Sequence, residues 1–494
     1  MNFHKKEKIT IYLFFALLFI ATVMFFMTIH PVTIISGDDW GNLSLNREAY
    51  PQWGAANPIK VTPELLFPWI GMISTYLIMP FGFGFLEAIS HTTAIFISFL
   101  VSLFLLQLFL LMRDKLKVGL YNSLLMVSVY YLCIFGALRT SSDNQSLYLL
   151  WEVNITCFYH YITPALINSS LVLYFMRNEG SLSYDDLKKR GYIYVGWLIL
   201  ASYICIFSSL FANVFFAVYC GVSILTSFIK NSYSLIKTLK EKPFHTFILL
   251  LWLVSVVYEI NGGRAQSIGS SDLDVNGAVN FFISLIEKSQ PLFIVFILTF
   301  LLLGAFFFYK EKERKENNDF KYAFLVCTVS CAITFVALIL ICARAGGYYT
   351  SRPVVMWGVF MYIIISALIS MGYLITNYKI INYVMPIIII SLINKTISQD
   401  TSLKESNNLD LKYNIALAIS QNIIDQVVYA DKNNIRKINL IVPKGDNNDN
   451  WPFPIYEGPS INRVLKIYGI IRNDIDITVI PDESLNHKLG IPFS

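Results

Sequence analysis

The chain has 494 residues, 55% of them hydrophobic and only 14% charged, with a mean hydropathy of +0.56 and a formal net charge of +5. Soluble domains carry about 25% charged residues, so the composition excludes a soluble globular protein and specifies an integral membrane protein. The aromatic share of 15% agrees, because Trp and Tyr favour the two bilayer interfaces.

The seven cysteines (Cys133, Cys157, Cys205, Cys220, Cys327, Cys331 and Cys342) lie in or beside apolar runs, without metal-ligand spacing. They read as buried thiols, neither a disulfide framework nor a metal site. No P-loop or GxGxxG stretch occurs, so nothing suggests a nucleotide-binding domain.

Lys5, Lys6 and Lys8 precede an apolar run from Thr10 to Thr28, and His30-Pro31 follows where a cleaved leader would need small residues. The run reads as an uncleaved first helix with a cytoplasmic N-terminus. The first outer loop is expected to span 30–90. Within it, 65–85 is apolar but broken by Pro68, Gly71, Pro80, Gly82 and Gly84. If that segment crossed, Arg113, Lys115 and Lys117 would fall outside. The positive-inside rule favours a segment lying in the interface instead.

Further spans are expected at 91–112, 118–138, 159–176, 192–209, 211–228, 245–260, 291–309, 322–342, 354–375 and 380–396. With the first helix they make about eleven, which sends the C-terminus outside. The basic loops Arg113–Lys117, Arg177–Arg190, Lys230–Lys242 and Lys310–Lys321 then face the cytoplasm. Their lysines are orientation signals and imply no nucleic acid.

The expected organisation is a membrane domain over 1–396 and a polar tail over 397–494. The tail carries helix-like patterns at 409–428 and from Pro459, and strand-like alternation at 437–442 and 474–480. That pattern describes a small α/β domain. The fold class is therefore mainly α: a polytopic transmembrane bundle with a C-terminal α/β domain outside the membrane.

The candidate chemistry gathers on the outer face. Asp38 and Asp39, followed by Trp40, open the first loop, and Glu64, Arg139, Asp143, Trp151, Glu152, Arg264, Arg344 and Arg352 share that side. A carboxylate can take the proton of an attacking sugar hydroxyl. Arginine offers a planar fork of donors for phosphate oxygens. Two adjacent carboxylates are expected to titrate as a coupled pair.

Each feature has a plainer reading. Gly-Asp-Asp is ordinary turn chemistry, and Asn261-Gly-Gly-Arg264 can simply end a helix. Arg344 and Arg352 can snorkel, Trp151 and Phe158-Tyr-His-Tyr161 can form an interfacial belt, and His160 suits a structural role. No cofactor is expected. Two carboxylates can hold Mg2+ or Mn2+ through oxygen, which leaves metal dependence open.

A helix followed by an outer loop that opens on an acidic pair resembles the GT-C class of integral membrane glycosyltransferases. The closer likeness is to the serotype-converting O-antigen glucosyltransferases of enteric bacteria and their phages. The sequence also resembles a broad bacterial membrane family with an Asp-Asp-Trp motif, a later Trp/Tyr-Pro element (here Trp151 to Pro164) and a Gly-Asn/Arg turn (here Asn261 to Arg264). At that turn the residue order departs from the family pattern.

The resemblance implies a transferase in the bacterial inner membrane that works on the periplasmic face. Its donor would be a polyprenyl-phosphate sugar, most simply undecaprenyl-phosphate glucose, and its acceptor an O-antigen repeat. Asp38 and Asp39 match the catalytic motif, while Trp40, Glu64, Trp151, Arg264, Arg344 and Arg352 are the expected substrate contacts. A transporter or flippase of lipid-linked sugars, and an O-antigen polymerase or ligase, are the alternatives. A transporter should show mid-span charges and an internal repeat, and neither is evident.

Overall fold

The long apolar runs form helices because lipid offers no partner for a free N–H or C=O. The computed structural model describes residues 5–45, 62–139, 147–261, 273–310, 318–378, 381–397, 407–408, 411–445 and 447–491. Among them, eight helical stretches are long and apolar enough to cross a membrane.

In chain order the helices that build the bundle are α1 (Lys5–Met24), the short α2 (Gly37–Leu43), α3 (Thr62–Ile73), α4 (Phe85–Leu110), α5 (Leu120–Gly136) and α6 (Thr163–Asn178). They continue with α7 (Tyr192–Ile206), α8 (Leu210–Lys230), α9 (Pro243–Asn261), α10 (Val275–Glu287), α11 (Pro291–Lys310), α12 (Asn318–Ala345), α13 (Trp357–Asn377) and α14 (Ile381–Ile397).

Ion pairs and hydrogen bonds show that the four basic loops meet at one end of the bundle. Arg113 pairs with Glu7 at 3.9 Å and Lys115 with Asp319 at 3.0 Å. Glu179 accepts from Lys242 Nζ at 2.6 Å and from the Tyr322 and Ser223 hydroxyls at 2.5 Å each. At the opposite end lie Asp39, the Asn154–Cys157 turn, Arg352, and the Arg139 N–H that donates to the Lys288 carbonyl.

The segment 64–81 meets the length and apolarity of a span, yet it returns to the end it left. The Pro68 carbonyl accepts from Tyr468 Oη at 3.1 Å, and Tyr76 Oη donates to the Ile467 carbonyl at 3.3 Å. Phe85 then packs its ring against Tyr468 at 5.6 Å. Residues 68, 76 and 85 thus touch the same spot, so the segment that begins with α3 stays at that end of the bundle, with Pro68 inside the helix. Leu120–Gly136 (α5) and Tyr192–Ile206 (α7) are shorter apolar helices packed among the other seven long stretches, against about eleven spans expected from the sequence.

The core between the helices is aromatic. Trp357 is fully buried on α13, with its indole N–H on Ser169 Oγ of α6 at 2.7 Å, and Tyr362 Oη donates to the Phe215 carbonyl of α8 at 2.7 Å. Both polar tips are satisfied, as burial of Trp and Tyr requires. Gly358 sits where a Cβ would come within 2.6 Å of the Phe215 ring, so glycine there lets α13 approach α8 closely.

The tail folds as the alternation predicts. Two very short antiparallel strands, β1 (Asn407–Asn408) and β2 (Leu411–Lys412), lead into α15 (Tyr413–Lys432). Strand β3 (Lys437–Pro443) then pairs in parallel with β4 (Asp476–Asp482), joined through α16 (Gly458–Ile467), and α17 (Glu483–Leu489) follows. Leu440, Val442, Ile477 and Val479 turn their side chains into the unit's core. This unit is docked on the end of the bundle that carries Asp39. The Gly37 N–H donates to the Pro452 carbonyl at 3.0 Å, Tyr468 Oη donates to the Leu43 carbonyl at 3.2 Å, and Ser420 Oγ donates to the Ile34 carbonyl.

Candidate active site

The acidic pair sits in the first turn of α2, and its two members have different fates. Ser36 is the N-cap, and Asp39 at the third helical position reaches back to the Ser36 N–H at 3.1 Å, the acidic half of a capping box. The same Asp39 oxygen accepts from the Ile35 N–H at 3.0 Å. Its other oxygen accepts from the Thr156 N–H at 2.9 Å and the Thr156 hydroxyl at 2.7 Å.

Asp39 is completely buried, and four donors surround its carboxylate. Burial pushes its pKa up, against the pull of the donors. Asp38, one residue earlier, is exposed. The expected coupled pair is therefore divided into a buried fastener and a solvent-facing carboxylate.

The partner turn is built for this junction. Asn154 caps the helical run 155–178, with its side-chain oxygen accepting from the Cys157 N–H at 2.9 Å and its amide donating to Ser36 Oγ at 3.3 Å. Glu152 lies just before it, fully buried and 3.5 Å from Arg352 Nη1. Burial pushes the Glu152 carboxyl up to about 7, with Arg352 opposing the shift. The Arg352 guanidinium lies over Tyr161 and Tyr349, 5.7 and 5.2 Å from their ring centroids. Glu152, Arg352, Asp39 and Asp38 all act electrostatically on the Cys157 thiol, so the four charges converge on one short turn.

A further carboxylate comes from the tail. Glu457 is 6% exposed, and its Oε2 would stand 3.1 Å from a Cβ built on Gly37. Burial pushes its carboxyl up to about 7, against a hydrogen bond from the Ser460 side chain and with the nearby Asp38 and Asp39 adding to the rise. The Trp-Pro-Phe-Pro run at 451–454, just ahead of α16, is the only mark that sequence offers of this turn. Nothing there points to Asp38, because the tail reads as a separate unit until its docking is seen.

The other expected contacts are scattered by the fold. Trp40 is 2% exposed and packed in the core, so its ring has no face for a ligand. Glu64 is buried near the start of α3, and Trp151 is half-buried beside Glu152, its backbone N–H on the Tyr148 carbonyl. Arg344 is exposed at the end of α12, while Arg352 is drawn to Glu152. Arg264 and Asp143 lie outside the described residues. His160 is buried. Among the described residues no three His, Cys, Asp or Glu side chains gather closely enough to hold a metal ion.

No family model matches the chain, and no curated protein matches it. Two solved structures do, both of the oligosaccharyltransferase of Archaeoglobus fulgidus. The complex with zinc and sulfate is 14% identical with a TM-score of 0.41, over 85% of this chain and 55% of that one. The apo form is 12% identical with a TM-score of 0.37, over 87% of this chain and 58% of that one. The chain spans a little more than half the length of the protein it is similar to.

Proposed function

We propose that the protein is a GT-C glycosyltransferase of the bacterial inner membrane. It transfers a sugar, most simply glucose, from undecaprenyl phosphate to an O-antigen or related surface polysaccharide on the periplasmic face. The observation that carries this reading is the division of the acidic pair. One carboxylate, Asp39, fastens the first loop to the bundle, and this leaves Asp38 exposed at a turn where Arg352 also converges.

In this reading the acceptor hydroxyl attacks the anomeric carbon as the bond from that carbon to the phosphate oxygen breaks. Asp38 takes the hydroxyl proton, and polyprenyl phosphate leaves with the bonding electron pair. Arg352, held between Glu152 and two tyrosine rings, stabilises the charge on the departing phosphate. Single displacement inverts the anomeric centre. The donor reaches the site laterally from the bilayer past α3, which lies along that end of the bundle. The N-terminus is cytoplasmic and the tail periplasmic, in keeping with the basic loops at the far end.

The test is transfer from radiolabelled polyprenyl-phosphate glucose to purified O-antigen, comparing wild type with Asp38→Asn. Loss of transfer with unchanged expression and thermal stability is expected. Wild-type protein that transfers from no polyprenyl-phosphate sugar, or an Asp38→Asn variant as active as wild type, would sink the assignment.

A further inference from the structure

The turn 447–457 of the tail is fastened at both ends. Asn450 accepts from the Gly445 N–H at 2.7 Å and donates to the Pro443 and Phe453 carbonyls at 3.1 and 2.8 Å. Asn447 Oδ1 accepts from the Trp451 N–H at 2.7 Å. Pro452, Phe453 and Pro454 are buried, and the Pro452 carbonyl is bonded to the Gly37 N–H. Pro454 fits so closely that a Cβ on Gly37 would come within 2.5 Å of its ring. A chain braced in this way is pre-organised, so little entropy is lost when a ligand settles on it.

Three side chains then stand where the turn meets Asp38. Tyr456 is 61% exposed although its phenol lies close enough to Asp38, Asp449 and Glu457 for their charges to act on it. Ile455 is also exposed beside it. Glu457 is buried against Gly37; the Ser460 side chain bonds to its carboxyl, and among the described residues its Oε1 has no hydrogen-bond partner. A buried carboxylate oxygen without a donor is costly unless something supplies one. An exposed aromatic face, with a carboxyl beside it that keeps one oxygen unpartnered, has the chemistry that a neutral sugar ring satisfies. The ring's C–H face lies on the phenol, and a hydroxyl donates to the carboxyl. The tail's docking puts both groups next to Asp38.

We propose that Tyr456 and Glu457 form the acceptor subsite of the enzyme, seating one sugar of the acceptor polysaccharide so that a hydroxyl meets Asp38. The tail is then half of the active site. This rests on the transferase reading above, and the experiment separates the two.

Full-length protein in lipid nanodiscs is prepared as wild type, Tyr456→Phe, Tyr456→Ala and Glu457→Gln. Saturation-transfer NMR of purified O-antigen polysaccharide, without donor, reports binding. Steady-state transfer from polyprenyl-phosphate glucose reports the acceptor and donor KM. The polysaccharide signal is expected in wild type and Tyr456→Phe, and it should be lost in Tyr456→Ala and weakened in Glu457→Gln.

The acceptor KM should rise about tenfold in Tyr456→Ala, the scale of one aromatic contact, with the donor KM within about twofold of wild type. Transfer with an unchanged acceptor KM in Tyr456→Ala overturns the subsite and leaves the transferase standing. Binding that Tyr456→Ala abolishes, in a protein that turns over no donor, upholds the subsite and removes the transferase. No polysaccharide signal from wild type overturns the subsite.

Discussion

Asp39→Asn is the substitution that most directly separates structure from chemistry in the acidic pair. Each oxygen of Asp39 accepts two hydrogen bonds, all four between 2.7 and 3.1 Å, in a site with no water-exposed surface. An asparagine keeps one accepting oxygen. Whichever way the amide turns, its NH2 faces either the Ile35 and Ser36 N–H groups or the N–H and hydroxyl of Thr156. Only the hydroxyl can rotate to accept, so at least one buried backbone donor is stranded in either orientation.

Hydrogen bonds to a charged group contribute about 1.5–3 kcal/mol each, and a stranded buried donor costs about 1–3 kcal/mol. The expected loss is therefore about 3–5 kcal/mol, concentrated where the first loop meets the Asn154–Cys157 turn. Cys157 provides the reporter, since it is 8% exposed beside Thr156. A thiol-reactive fluorophore should label Cys157 much faster in Asp39→Asn than in wild type, and the thermal midpoint should fall, while Asp38→Asn changes neither. Equal labelling and equal midpoints for Asp39→Asn and wild type would refute the fastener role of Asp39.

The other expectations follow from the same geometry. Arg352→Ala leaves Glu152 buried without its counter-charge; transfer should fall with a raised donor KM, and Arg352→Lys should recover only part, because Lys cannot reproduce the planar fork. At the opposite end, Lys242→Ala strands Glu179, whose side chain is 10% exposed, and should cost about 3–5 kcal/mol in denaturant unfolding; Lys242→Met with Glu179→Gln should restore most of it.

Glu457 titrates at about 7 in the folded protein against 4.5 for an ordinary Glu, so the folded state holds the extra proton between those values. Stability should therefore fall as pH rises from 5 to 7 and level off above, by up to about 3 kcal/mol. Glu152, pushed up to the same value, adds a slope of the same sign, so Glu457→Gln should reduce the slope in thermal scans from pH 5 to pH 8 without removing it, and an unchanged slope would contradict the buried position. Transfer should be the same with EDTA as with added Mg2+ or Mn2+, measured in the radiolabel assay. Loss of transfer in EDTA that a divalent ion restores would assign a metal to the Asp38 carboxylate.

The membrane architecture is written in the sequence because a bilayer imposes a one-dimensional rule. About twenty apolar residues are needed to cross, and basic loops mark one side. Composition alone therefore yields the long apolar helices, down to the Pro- and Gly-broken stretch that begins with α3 and returns to the end it left. The tail's two strands were equally legible, since a strand with one buried face shows a period of two. Asp38 and Asp39 stood out as adjacent carboxylates at a helix start.

Their different roles could not be read from the chain, because a hydrogen bond from Thr156 or a carboxyl at Glu457 is a long-range contact with no local pattern. Trp40 looked like a binding aromatic, and packing placed it in the core. Arg344 and Arg352 looked alike, and only the fold paired one of them with buried Glu152. Local periodicity is set by solvent and by backbone geometry, so sequence determined where each segment lies. Which side chains meet depends on how distant segments dock, so only the tertiary structure decided that Asp39 holds the loop, that Asp38 is exposed, and that the tail stands beside it.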